Sequence, residues 1–439
     1  MIKVKKTCRS KLFFILIALV FIIALAAASA FYFVPKLNKK PAQANVSENI
    51  YISFVDEIYD KIKANYWEKI SDDELANLFK LGAEKLSGKP QTLTLNDKIG
   101  LNKMLEQIIS SMSEEQKQQF IPQLADLVLK NLKPFGLSGL YTQKLEQELA
   151  NKVKNINPEI NLYADLGLAA GATEQEVKIA YEEKKAELEK QKTPEAEAEL
   201  KKIAYAHEVL AEPERKQKYD SFGIEPTILY RLIKPNILHL RITRFSPTTL
   251  DEFQKATEAV DKGEILDTLI LDLRNNIGGA IDAMPYFLGP FIGKDQYAYE
   301  YYRQGEREPY KTVVGWLPSL VRYKKVIILI DDKAQSSAEL MAASLKKYNV
   351  GVTVGVPTKG WGTIERVFEL ENQISPAEIY SMFLVHTITL RDDGEPIEGR
   401  GVEPLINVQD PSWTKELYKY FNSNEIVSVV KQLWDEGVE

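Results

Sequence analysis

Residues 269–279 read LILDLRNNIGG, and this stretch decides the fold class. An apolar run ending in Asp272 and Arg274 reads as a buried strand that emerges at a surface. Asn275, Asn276 and the pair Gly278 and Gly279 follow it as a turn whose backbone can approach a ligand closely. Glycine N–H groups at a strand end are good donors to a developing negative charge. A tight turn with no ligand gives the same pattern, so the neighbouring segments have to separate the two.

Those segments alternate. From Ile224 onward strands and helices follow one another as in an α/β core. Before the turn lies ILHLRITRFSPTTLDEFQKATEAV. After it come VIILIDDKAQSSAELMAASLKKYNVGVTVGVPTKGWGTIE and ITLRDDGEPIEGRGVEPLINV. Together they resemble the C-terminal processing peptidases, also called tail-specific proteases, over residues 224–408. The stretch 272–279 is similar to that family's Asp-Leu-Arg-x-Asn-x-Gly-Gly element, and the later segments to its serine segment and closing Gly-x-Gly-Ile-Glu-Pro segment.

The resemblance implies an α/β peptidase core with a serine nucleophile. It also implies a lysine base kept neutral by burial, a glutamine that orients it, and backbone N–H groups that receive the oxyanion. Ser336 falls at the nucleophile position. Gly278, Gly279 and Ser337 fall at the oxyanion positions. Gly355, Pro357, Thr358, Gly360, Gly362 and Thr363 match the family's Gly-x-Pro-Thr-Phe-Gly-Lys-Gly-Thr run. The lysine position is Trp361, the glutamine position is Glu365, and an acidic position eleven after the serine is Lys347.

An indole N–H only donates, so Trp361 cannot take a proton from Ser336. Lys359 is a candidate displaced base, because residues i and i+2 share a face of an extended segment. Glu365 would then stand in for the glutamine, although a carboxylate raises a lysine pKa and weakens it as a base. His386, on a later predicted strand, is a second candidate base. Ser336 and Ser337 have another reading, as caps of the helix AELMAASLKKY.

The chain has 439 residues, enough for roughly two to four domains. Hydrophobic residues make up 45% and charged residues 27%, an ordinary globular balance. A net charge of −6 gives no case for nucleic acid. Residues 12–34, from Leu12 to Val34, are an apolar run long enough to cross a hydrocarbon core of about 30 Å. Lys3, Lys5, Lys6, Arg9 and Lys11 precede it, so the N-terminus is expected in the cytoplasm and residues 41–439 outside it. Ala28-Ser29-Ala30 would suit signal cleavage, but the run continues through Phe31 to Val34 and favours a retained anchor. The one cysteine is Cys8, on the cytoplasmic side, so no disulfide or zinc-thiolate site is expected in the exported part. His207, His239 and His386 lack metal-ligand spacing, and nothing in the pattern calls for a cofactor.

Organisation follows from these signals. Residues 1–40 form a stub and anchor, and 41–160 a helical region. Its pattern is helical over 51–86 and again over 97–153, with a capping box at Ser113 and Gln116. The segment FVDEIYDKIKANYWEKISDDELANLFKLGAEKL is similar to the peptidase family's N-terminal helices. Residues 161–223 read as a helical hairpin, with Thr173 and Glu176 capping one helix and Pro194 opening another. NLYADLGLAAGATEQEVKIAY and IAYAHEVLAEPERKQKYDSFG resemble the two ends of a J-domain. That family's His-Pro-Asp, which engages a chaperone partner, is replaced by Glu189-Lys190-Gln191. The J-like unit occupies the slot where the peptidases carry a PDZ domain, and no PDZ-like strand pattern is seen. Residues 224–410 make the core, and 411–439 two short helices.

Two functions follow as expectations. One is a membrane-anchored serine peptidase acting on extracytoplasmic polypeptides, with impaired or absent turnover. The other is a peptidase fold that binds polypeptide ends or a partner protein without turnover. Cochaperone activity would need the missing His-Pro-Asp.

Overall fold

The computed structural model describes residues 49–260, 266–391 and 393–438. The apolar run at 12–34 and Cys8 lie outside these residues. Among the described residues no helix is long and apolar enough to cross a membrane.

Four helices come first: α1 (Ile50–Asn65), α2 (Asp72–Ser87), α3 (Lys98–Ser110) and α4 (Glu114–Lys130). The helical pattern at 51–86 is interrupted over 66–71, and Ser71 caps the second helix: its side chain accepts the Glu74 N–H while Glu74 bonds back to the Ser71 N–H. Ser113 and Gln116 form the expected capping box of α4. One correction falls here: 97–153 is not helical throughout. Gly139–Thr142 is a strand, β1, followed by α5 (Gln143–Lys154). Four residues carry no periodicity of their own, and β1 exists because it pairs with a strand some 240 positions on.

The J-like unit is α6 (Leu162–Asp165), α7 (Glu174–Leu188), α8 (Pro194–Leu210) and α9 (Pro213–Phe222). Val177, Ile203, Ala206, Val209 and Leu210 pack between its helices with Leu162, Tyr163 and Leu166. Glu189, Lys190 and Gln191 are exposed at the hairpin tip. The other end of the unit is tied to the core. Tyr205 donates to the buried Glu225 (2.5 Å), Arg215 to Ile228 O (3.1 Å), and Lys255 pairs with Glu214.

The core contains β2 (Ile228–Lys234), β3 (Ile237–Ile242), α10 (Thr249–Val260), β4 (Thr268–Asp272), α11 (Met284–Ile292), β5 (Tyr297–Arg303), β6 (Glu306–Lys311), α12 (Pro318–Val321), β7 (Lys325–Ile330), α13 (Ser337–Lys347), β8 (Val352–Gly355), β9 (Thr363–Glu369), β10 (Tyr380–Leu390) and β11 (Ile406–Asn407). Helices α14 (Trp413–Phe421) and α15 (Asn424–Glu436) close the chain, as the sequence suggests.

The larger sheet has the order β11-β8-β7-β4-β3-β2, with only β2 antiparallel to its neighbour. Its central strands are apolar on both faces because both faces are covered. Leu269, Leu271, Ile328 and Ile330 meet α10, α11 and α13 on one side. Ile270, Ile327, Leu329 and Val354 meet α14 and α15 on the other.

The second sheet runs β1-β10-β5-β6, with β9 on the other edge of β10. Helices α1–α4 share a core with it, where Phe54, Ile58 and Phe79 join Leu370, Met382 and Leu384. Trp67 fastens this region further: its N–H donates to Val385 O (3.2 Å) and its carbonyl accepts from Gln304 N–H (2.6 Å). The N-terminal helices are thus one face of the sheet that carries β9.

Candidate active site

Three loops meet at the C-terminal edge of the parallel strands, where α/β sheets usually place ligands. They follow β4, β7 and β8, and carry Gly278 and Gly279, Ser336, and residues 358–361.

The turn after β4 is braced from within. The buried Asn276 accepts the Gly278 N–H (2.8 Å) and donates to Ile242 O (2.8 Å). Phe245 N–H donates to Gly278 O, and Ala280 N–H to Phe245 O. Gly279 has φ +137°, and a Cβ there would lie 1.9 Å from Phe245 O, so only glycine fits. Gly278 lies against the serine: its Cβ would sit 2.7 Å from Ser336 Cβ and 3.1 Å from Ser336 Oγ.

Below the turn, Asp272 is fully buried. It takes two bonds from the Arg274 guanidinium (2.9 and 2.7 Å) and one from His239 (3.0 Å). Burial opposes its ionisation, but these bonds hold its carboxyl below the usual range. Arg274 also donates to Leu433 O (2.8 Å), so the strand end is locked to α15.

Ser336 stands at the N-cap position of α13 with φ 57° and ψ −122°, a strained backbone for a residue with a side chain. What holds it is Glu339, three residues further on. Glu339 is fully buried. One carboxylate oxygen accepts Thr358 Oγ1–H (2.6 Å) and Gly360 N–H (2.7 Å). The other accepts Ser336 N–H (2.8 Å) and Trp361 N–H (2.8 Å). The serine elbow and the loop after β8 are fixed through this one group.

The acceptor half of the site differs in one donor from the expectation. The Gly278 N–H is already given to Asn276. Among the described residues the N–H groups of Gly279 and Ser337 are not taken by another protein acceptor. Ser337 Oγ donates to Gly279 O (3.3 Å), which ties the turn after β4 to the residue after Ser336. Of the three expected oxyanion donors, Gly278 is thus engaged with Asn276, while no such bond claims Gly279 or Ser337 among the described residues.

The base half is occupied by Trp361. Its Nε1–H donates to Glu365 Oε1 (3.1 Å), which also accepts Thr363 Oγ1–H (2.6 Å). Lys359 does share the face of Trp361, as i and i+2 should. Its amine lies over the indole, 4.8 Å from the ring centroid, and its side chain is exposed. Among the described residues no basic side chain hydrogen-bonds Ser336. His386 lies at the bulge of β10, with Nδ1 on Thr387 Oγ1 (2.7 Å) and its ring near Phe368. Burial, with Arg303 and Arg366 nearby, pushes its pKa down to about 4. Lys347 points elsewhere, over the Tyr297 ring.

Three carboxyls surround the base position. Glu365 is raised above its ordinary value by burial, against the bonds from Thr363 and Trp361. Glu339 is raised by burial against its four bonds. Glu398, which accepts the Gly362 N–H (2.8 Å), is raised by burial and by the charges of Glu365 and Glu339.

Comparison with known proteins places this arrangement. Residues 236–408 match the model of peptidase family S41, and residues 161–220 match that of the DnaJ domain. Carboxy-terminal processing protease CtpA of Bacillus subtilis is 28% identical over 202 residues, which is 46% of this chain and 41% of that protein. CtpB of the same organism is 27% identical over 180 residues, 40% of this chain and 34% of its own. The chain thus spans well under half the length of these curated relatives. A Staphylococcus aureus protein named "Probable CtpA-like serine protease" is 22% identical over 413 residues, 91% of this chain and 72% of its own. Among solved structures, the photosystem II D1 C-terminal processing protease covers 82% of this chain and 94% of its own at 14% identity, with a TM-score of 0.48.

The fold and site define a serine-peptidase core of family S41. More particularly, the chain carries a core of the carboxy-terminal processing protease family, with a J-domain lacking His-Pro-Asp ahead of it.

Proposed function

We propose that this protein is a membrane-anchored member of the carboxy-terminal processing family that binds extracytoplasmic polypeptides and turns them over slowly or not at all. One observation carries the reading: the base position holds a tryptophan that donates to Glu365, while Lys359 is stacked outside on its ring. A peptide carbonyl at Ser336 could still be polarised by the Gly279 and Ser337 N–H groups. Among the described residues no basic side chain bonds Ser336 to take its proton, and serine chemistry without its base is slower by several orders of magnitude.

The anchor rests on residues 12–34 and the basic residues before them. The J-like unit contributes docking rather than cochaperone work, since Glu189-Lys190-Gln191 cannot supply the missing contact and its α8–α9 end is tied to the core.

The test is rescue. Trp361→Lys places an ammonium among Glu339, Glu365 and Glu398, which favour its charged form. Trp361→Lys with Glu365→Gln removes one of these charges, and each unit of lysine pKa so lost gives about tenfold more neutral amine at neutral pH. The double variant should cleave unstructured polypeptides faster than the single one, and both faster than native. Equal rates in all three would reject the missing base as the cause. Protease added to intact cells should digest the C-terminal core; full protection beside an accessible control protein would reject the topology.

A further inference from the structure

The strand β9 is an open edge, and its free backbone groups follow from the pairing. Both β1 and β9 pair with residues 381–383 of β10, so they lie on its opposite edges. Val385 turns its backbone to the β1 side. Its N–H donates to Ser138 Oγ (3.1 Å), one residue before β1, and its carbonyl accepts the Trp67 N–H (3.2 Å). Backbone groups alternate between the two edges of a strand. Leu384 and Met382 therefore face β9, and their register partners Arg366 and Phe368 bond back. Val367 and Glu369 turn their N–H and C=O groups outward, and among the described residues no other strand pairs with that edge. Val367 is partly exposed and Glu369 exposed.

The sheet's other outer strand is blunted against pairing: β6 reads EREPYK, with Pro309 inside a run of charges. By contrast, β9 reads TIERVFE and holds no proline. It also touches both walls of the site. Glu365 accepts the Trp361 Nε1–H, and the Trp361 N–H shares Glu339 with the Ser336 N–H. Arg366 gives two bonds (3.0 and 2.9 Å) to Asp282, three residues past Gly279.

We propose that the outer edge of β9 receives an extended polypeptide as an added strand and so holds its chain beside Ser336. The inference rests on the polypeptide-binding reading above and says how the chain is held. An open row of alternating N–H and C=O groups is complementary to a second backbone, which makes a polypeptide the ligand. A second copy of β9 is a poor fit. Two-fold antiparallel pairing centred on Arg366 sets that residue opposite its own copy, and centring on Val367 sets Glu365 opposite Glu369. Both registers place like-charged residues across from each other, which is destabilising. From Thr363 to Glu369 the strand rises about 20 Å, so the added strand spans about seven residues. Recognition runs through the backbone, so it tolerates varied side chains.

The test is binding, measured by fluorescence anisotropy on the full-length protein in nanodiscs, so turnover is not needed. The probes are labelled unstructured peptides of about twelve residues, rich in valine and threonine, which favour strands. The best binder is then N-methylated at one backbone nitrogen at a time. Native protein should lose about three- to tenfold in affinity at every second position over the paired stretch, and little at the positions between. Val367→Pro removes an outward N–H and leaves the bonds to β10 in place, so it should weaken the unmodified peptide by about tenfold with melting unchanged. Glu369→Pro should act in the same sense. If native protein binds these peptides but N-methylation shows no alternation, strand addition is wrong and polypeptide binding stands. Val367→Pro that folds and binds as native does would overturn it in the same way. If native protein binds no peptide of the set, both readings fall. A native dimer that Val367→Pro converts to monomer in sedimentation, with peptide binding unchanged, would assign the edge to a second copy and overturn the proposal.

Discussion

Glu339 is the group on which the site's geometry depends, and removing it has a cost that can be worked out. Its two oxygens accept four bonds in a position with no solvent exposure. Glu339→Ala orphans three backbone N–H groups and one hydroxyl. Breaking a buried ionic hydrogen-bond set typically costs about 3–5 kcal/mol, even though the desolvation of the carboxylate is recovered. Glu339→Gln keeps one acceptor oxygen and turns its NH2 toward the other pair of donors, so roughly half the set is lost, about 2–3 kcal/mol. Either change also releases Ser336 from φ 57°, so peptide binding at the oxyanion turn should weaken with stability.

The pH dependence has a definite sign. Burial raises the folded-state value of Glu339 above its ordinary 4.5, so the native state binds more protons than the unfolded state just above that pH. The contribution is fully present below 4.5 and is lost as pH rises through the folded-state value. The advantage of native protein over Glu339→Gln should therefore shrink as pH rises through this window. Urea unfolding of native protein, Glu339→Gln and Glu339→Ala at several pH values measures both effects. A cost below about 1 kcal/mol for Glu339→Ala, or an advantage over Glu339→Gln that grows with pH, would refute the reasoning.

Two further outcomes follow from the geometry. Gly279→Ala forces a Cβ to 1.9 Å from Phe245 O, so the turn must shift; expression and thermal melting should show a loss of several degrees, and an unchanged melt would contradict the close packing. The J-like hairpin has an exposed tip, so replacing Glu189-Lys190-Gln191 with His-Pro-Asp should leave circular dichroism and melting unchanged, whereas clear chaperone ATPase stimulation by the native protein would overturn the docking-only role.

Much of the site could be read from local pattern. The strand end at Asp272 and Arg274, the glycine turn and the serine before a helix are all contiguous signals, and they meet as expected. Glu339 escaped because its partners Thr358, Gly360 and Trp361 lie about twenty positions away in another loop. Its one local signal, Ser-x-x-Glu, reads as a helix cap. The engagement of the Gly278 N–H escaped for a related reason: Asn276 looks like an ordinary turn residue, and its bonds to the Gly278 N–H and to Ile242 O need the fold to bring them together. The i and i+2 rule placed Lys359 on the face of Trp361 but could not say that the amine would rest on the indole. The strand β1, and the core that α1–α4 share with β10, depend on pairing across most of the chain and leave no mark in a local window.

The central claim is that the acceptor half of the site is built while the base half is not. The direct measurement is turnover of an unstructured polypeptide by the full-length protein, with Ser336→Ala and Lys359→Ala alongside under identical conditions. The account predicts that native protein and both variants are indistinguishable at the limit of detection. Ready cleavage by native protein, abolished in both Ser336→Ala and Lys359→Ala, would contradict it and show that Lys359 leaves the Trp361 ring to serve as the base.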